Sequence, residues 1–259
     1  MSKKNYVYAL NASLSRGGLR RLLLTDRYAV ANWRTTFKAI PVKVDLRETG
    51  FYGDVQDQGN LETSIGISLV KGCLEYAAKK DFNYNHSLSS IYVYRKDRFG
   101  FFTDPIHTVT SMMDAIEVMI YQGCCSESFD SYDYSTFSYR ETPQLDTLAS
   151  PMRLKRAYRI KSIKEIKRCL AEGYPVASLF QVFPSMFNIF VYRSGSILLP
   201  DTSEVSLGRH AMTIVGYDDN LEHFIVRNSW SKSWGEYGYG KLPYSAFKRM
   251  HLESYSLRL

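Results

Sequence analysis

The 259-residue chain reads as an α+β protein of two lobes. A helical lobe covers about 50–145 and a strand-rich lobe about 146–259, preceded by an arm and crossover strand over 1–49. Three observations predict this. A polar turn around Gly59 passes into an apolar stretch of helical period, with Ile67, Val70, Leu74 and Ala77 in one set and Ile65, Leu69, Cys73 and Tyr76 in a second. Apolar side chains therefore cover more than one face, and such a helix belongs inside a protein. Beyond residue 175 the pattern changes to short, mostly apolar runs, Val176 to Val182, Ala211 to Tyr217 and Phe224 to Val226, which read as buried strands. No internal repeat or low-complexity tract breaks the order.

Composition agrees with a packed globular chain. Hydrophobic residues make up 45% and aromatic residues 14%, and the length suffices to bury most of the apolar surface. The formal net charge of +7 favours acidic surfaces in general but does not single out nucleic acid as a partner. The longest apolar run near the amino end is Leu22-Leu23-Leu24, too short for a secretory core. No run approaches the ~20 apolar residues of a membrane span. The expected location is cytoplasmic, or one reached without a Sec-type signal. The four cysteines, Cys73, Cys124, Cys125 and Cys169, lack the paired spacing of a metal site and form no disulfide framework. No metal or cofactor is expected.

In order along the chain, residues 1–43 are basic and polar and read as an arm packed on the body. Val44-Asp45-Leu46-Arg47 opens a strand. The pattern Leu88, Ile91-Tyr92, Tyr94-Arg95 suits a short helix, and Phe99-Gly100-Phe101-Phe102 a loop. A further helix spans roughly Val109 to Tyr121, with Val109, Met112, Ile116 and Met119 on one side. Residues 123–155, rich in Ser, Tyr, Asp and Thr, read as a crossover with little regular structure. Ser162 to Glu165 form a capping box ahead of Ile166, Cys169 and Leu170, with a stop at Gly173 and Pro175. The run Arg153 to Arg168, eight Lys or Arg against one Glu, reads as a solvated face.

Chemistry concentrates in three separated places. Ser64 lies at the amino end of the central helix, where unpaired N–H groups and the macrodipole favour a negative atom. His210 heads the strand Ala211 to Tyr217. Asn228 closes the strand after it and Trp230 follows, with Trp234-Gly235 and Gly238-Tyr239-Gly240 beyond. A nucleophile position with a His 146 residues on (210 − 64) and an Asn 18 beyond that (228 − 210) resembles the papain-like cysteine peptidases. The resemblance runs from about Val44 to the end. Leu88 to Arg98, Gly123 to Tyr134 and Leu242-Pro243-Tyr244 resemble its bacterial branch.

That resemblance implies a papain-like fold, a helical left lobe against a β-barrel-like right lobe, with the active-site cleft between them. It implies that Gln58 and the N–H of Ser64 form the oxyanion hole, that His210 is the catalytic base, that Asn228 orients it and that Trp230 shields their bond. Glu62, Thr63 and Arg209 are expected to line the substrate cleft, whose occupant is a peptide or protein. Leu61 occupies a half-cystine position of secreted relatives, so a reducing compartment is expected.

The nucleophile position and its neighbours depart from the family. Cys is replaced by Ser64, Glu62 stands for a usual Gly, and Ile65-Gly66 for an aromatic or Thr followed by Ala. A hydroxyl is a far weaker acid than a thiol, so the resting thiolate–imidazolium pair is lost and His210 has to act as a general base during attack. Three readings are open: a cysteine peptidase whose Cys was replaced by Ser and which is inactive as written, a natural pseudopeptidase that binds a peptide in the cleft, and a Ser-based acyl transferase or hydrolase.

Overall fold

The computed structural model describes residues 30–32, 40–97, 111–133 and 143–259. The aromatic loop Phe99 to Phe102, Val109 and most of the amino-terminal arm lie outside these residues.

One eight-stranded sheet carries the molecule. Its strands are β1 (Val30–Asn32), β2 (Lys43–Asp45), β3 (Arg156–Arg159), β4 (Val176–Val182), β5 (Gly208–Asp218), β6 (His223–Arg227), β7 (Tyr239–Pro243) and β8 (His251–Arg258). The bonded order is β1-β3-β8-β4-β5-β6-β7, with β2 joined to β5. All pairings are antiparallel except β1 with β3. The expected β-barrel-like lobe is corrected here. Among the described residues the sheet is open, because β1 and β7 lie at opposite ends of the path and do not pair.

The central strands are apolar on both sides because both sides are covered. In β4, Val176, Phe180 and Val182 enter one core with Met212, Ile214, Phe224 and Val226. Ala177 and Leu179, offset by one residue, enter a second core with Ala211, Tyr255 and Leu257. This is the two-residue alternation of a strand buried on both faces. The first core is closed by α6 (Ile163–Ala171) and α8 (Tyr244–Met250), through Ile166, Cys169, Leu170, Ala246, Phe247 and Met250. The second is closed by the central helix together with α3 (Ser90–Arg95) and α4 (Met112–Tyr121).

That central helix starts as α1 (Ser64–Ile67), widens into a π-helical segment (Ser68–Leu74) and resumes as α2 (Glu75–Phe82). The widening has a visible cause. Gly72 lies so close to β5 that a Cβ built on it would stand 1.9 Å from Thr213 Oγ1. Carbonyl groups along the widened segment find side-chain donors: Thr213 Oγ1 donates to Ser68 O at 3.1 Å and Tyr52 OH to Gly72 O at 3.2 Å. A π-bulge within an α-helix frequently marks a functional site. Here it fits the helix against the strand that carries His210.

On the far side, Lys71 is buried and ion-paired with Glu75 and Glu127, and the amide of Leu88 donates to Glu75 at 3.0 Å. Paired charges hold the segment before α3 and the turn after α4 to the helix, where either partner alone would be costly to bury.

The capping box forms, since Glu165 N donates to Ser162 Oγ at 3.2 Å, although the Glu165 carboxylate takes its own bond from Lys161 N at 2.7 Å. One expected stretch differs. Within 123–155 a helix, α5 (Pro143–Ala149), forms and runs into a 3-10 turn (Ser150–Met152). Pro143 stands at its first position, where a helix needs no N–H and a fixed φ favours the start. The last helix to be named is α7 (Ile189–Ser194), in the connection between β4 and β5. Among the described residues no helix is long and apolar enough to cross a membrane.

Candidate active site

Two elements meet at Ser64. It begins α1, so its backbone N–H belongs to the unpaired first turn of a long helical rod. β5 runs alongside, and Ala211 N donates to Ser64 Oγ at 3.2 Å. Ala211 follows His210 directly, so the helix start lies against the strand that carries His210, across a contact of 147 residues in sequence. Among the described residues no hydrogen bond joins Ser64 to His210 itself.

His210 Nε2 meets Asn228 Oδ1 at 2.7 Å, with Asn228 at the end of β6, next to β5. Trp230 covers the pair, its ring centroid 4.7 Å from the imidazole, and Phe187 stacks on Trp230 at 5.7 Å. The bond to the Asn oxygen requires the Nε2 proton, which leaves Nδ1 as the free base. Burial pulls the imidazole down to about 4 against a smaller upward pull from Asn228, so His210 is neutral at pH 7.

Gln58 is held by five hydrogen bonds, one of them from Leu61 N to its carbonyl at 3.3 Å. Its N–H donates to Ser229 O at 2.9 Å, and Ser229 Oγ donates to Gln58 Oε1 at 2.6 Å. Its Nε2 donates to Leu61 O at 2.8 Å, and its carbonyl accepts from Tyr132 OH at 2.9 Å. One proton of Nε2 is left to point elsewhere. Ser229 did not stand out in the sequence except as the residue between Asn228 and Trp230.

The three expected cleft residues part company. Glu62 and Arg209 are exposed. Thr63 is completely buried, and its hydroxyl lies 2.5 Å from Tyr132 OH, so its side chain faces the protein interior. The reason is the turn into α1, where Thr63 occupies the N-cap position without capping the helix.

Cys73, Cys124, Cys125 and Cys169 are all free and buried. Burial pushes the Cys125 and Cys169 thiols up to about 12 and raises Cys73 and Cys124 as well. None can supply a thiolate in place of residue 64.

The buried neutral histidine has a consequence for stability. An unfolded imidazole takes its proton near 6.5 and this one only near 4, so the unfolded chain binds more protons between those values and stability falls with pH. His251, pulled down to about 4 by burial between Phe180 and Phe247, acts in the same direction. For His210 the loss is on the order of 3 kcal/mol by pH 4. Thermal unfolding at pH 7, 5.5 and 4.5 is expected to show a falling midpoint, with a shallower fall in His210→Gln. A midpoint flat across this window would contradict it.

Comparison with known proteins follows this geometry. A family model described as papain family cysteine protease matches residues 40–257. An uncharacterized peptidase C1-like protein of Acanthamoeba polyphaga mimivirus is 28% identical over 200 residues, covering 73% of this chain and 63% of the viral protein. Pro-cathepsin H of Medicago truncatula is 26% identical over 214 residues, covering 82% of this chain and 59% of the plant protein. The chain thus spans about three fifths of the length of these relatives. Among solved structures, xylellain, a cysteine protease from Xylella fastidiosa, superposes with a TM-score of 0.74 at 24% identity. That match covers 89% of this chain and 95% of xylellain, and shows the papain-like fold.

Proposed function

This chain belongs to the papain family of cysteine proteases, and from that membership we propose that it is a peptide-binding peptidase scaffold whose hydrolytic step is stalled at residue 64. The observation that carries the reading is the pairing of Ser64 Oγ with the Ala211 amide, next to a His210–Asn228 bond of 2.7 Å. The catalytic roles fall to His210 as base, Asn228 as its orienting partner, and Gln58 with the Ser64 N–H as oxyanion donors. Trp230 shields the His–Asn bond from water. Glu62 and Arg209, both exposed, are the residues that meet the peptide.

Hydrolysis in such a site starts with a nucleophile stripped of its proton, which then attacks the carbonyl carbon. The oxyanion is held by N–H donors, the base returns the proton to the leaving amine, and water releases the acyl group. Ser64 weakens the first step alone. Peptide binding and the oxyanion donors do not depend on sulfur, so the cleft keeps its ligand while turnover is lost. The same outcome holds whether the serine is natural or replaced a cysteine. The likeness to xylellain supports the bacterial-branch affinity, and four free buried thiols support a reducing compartment.

A second reading, a Ser-based hydrolase or acyl transferase, is favoured by one observation. His210 is neutral at pH 7 and so able to accept a proton from a hydroxyl. Labelled denatured casein separates the two. Binding without cleavage by the parent supports the stalled scaffold, cleavage that disappears in Ser64→Ala supports the hydrolase, and absence of both overturns the proposal.

A further inference from the structure

The turn that carries the oxyanion side of the site is tied at both ends to a single hydroxyl. Tyr132, which follows the buried Cys124-Cys125 pair in the connection after α4, donates its proton to Gln58 O at 2.9 Å. Its oxygen also lies 2.5 Å from Thr63 Oγ1. A phenol has one proton, and Gln58 O can only accept, so the second bond must be donated by Thr63. The two contacts span the turn, one at Gln58, the proposed oxyanion donor, and the other immediately before Ser64.

We propose that Tyr132 is a positioning residue of the active site, a hydrogen-bond clasp that holds the turn from Gln58 to Thr63 in the shape that faces residue 64. Among the described residues no other side chain ties both ends of the turn. It contains no cysteine and so no covalent staple, and the internal bonds from Leu61 N to Gln58 O and from Gln58 Nε2 to Leu61 O are local. Ser229 holds Gln58 from the other side but does not reach Thr63. Thr63 is completely buried, so without Tyr132 its hydroxyl has no solvent to turn to. Burial raises the phenol to about 12, which keeps it protonated as a donor across the working range of pH.

The clasp acts through Gln58 and the start of α1, not on a substrate, so its loss should be felt in the rate of the chemical step more than in binding. That part rests on the reading of residue 64 given above, while the clasp itself does not.

The test uses the full chain and Tyr132→Phe, which keeps the ring and removes both bonds, with Thr63→Val as a second variant that removes only one. Backbone amide exchange over residues 58–64 is expected to quicken roughly tenfold or more, the equivalent of one lost bond, with the β4–β5 core unchanged. Should Tyr132→Phe fail to fold, Thr63→Val carries the same expectation. In the Ser64→Cys background, Tyr132→Phe is expected to lower kcat at least tenfold with KM changed less than threefold. Unchanged exchange across the turn in a folded variant overturns the clasp, as does a loss confined to KM. If Ser64→Cys alone shows no turnover, the functional reading fails and the exchange measurement still decides the clasp.

Discussion

Ser64→Cys is expected to turn the chain into a peptidase, with cleavage of denatured casein rising by up to about 10⁶-fold over the parent, the scale of a lost triad nucleophile. The expectation rests on how little else has to change. Asn228 already holds the imidazole by Nε2 at 2.7 Å, Trp230 already covers that bond, and Ala211 N–H already reaches the side chain of residue 64. A thiol at this place meets an imidazole whose burial favours the neutral form. A neighbouring thiolate opposes that by favouring the imidazolium, so the two protonation changes support each other. His210→Ala in the same background is expected to return the rate to that of the parent. A folded Ser64→Cys protein with no cleavage, or one indifferent to His210→Ala, would sink the catalytic assignment.

Gly72→Ala is expected to damage both fold and site. In an ordinary helix interior the change would stabilise by up to about 1 kcal/mol. Here the new methyl would stand 1.9 Å from Thr213 Oγ1 and 2.7 Å from its Cβ, distances at which something has to move. Overpacking of this kind costs about 1–3 kcal/mol or more, so the clash outweighs the propensity. Movement has a direction, because Thr213 lies two residues beyond Ala211 on β5. Forcing the helix from the strand also opens the contact between Ala211 N and Ser64 Oγ. A lowered unfolding midpoint and, in the Ser64→Cys background, a reduced kcat are the expected results. Thr213→Ala, which removes the nearer oxygen, should recover part of the loss. A Gly72→Ala protein as stable as the parent would show that the helix and β5 are not in the contact described.

The elements that carry the candidate site were legible before any coordinates, for a physical reason. Ser64, His210 and Asn228 each lie at the end of an element with a strong local signal, a helix of two apolar sets and two mostly apolar strands. Val176 to Val182 read as a strand because five of its seven residues are apolar, as both faces of a strand buried on both sides demand, with only Ser178 and Gln181 polar. What escaped the sequence is made of contacts between residues far apart in the chain that leave no periodic mark. Tyr132 meets Thr63 across 69 residues, and Ser229 meets Gln58 across 171. Thr63 was misdirected for the same reason, since nothing local says that its hydroxyl turns inward to a distant phenol. The π-helical widening has no composition of its own beyond Gly72, and the parallel pairing of β1 with β3 depends on a partner more than a hundred residues away. Barrel closure was expected by resemblance, and the order of strands along the open sheet could not be read from any one of them.

The most direct test of the central claim is labelling by a thiol-directed epoxide, read by mass spectrometry. The account predicts one adduct per chain on Ser64→Cys, mapped to position 64 and lost with His210→Ala, and none on the parent, whose four thiols are buried. Rapid labelling of the folded parent, or a Ser64→Cys protein left unmodified at position 64, would contradict it.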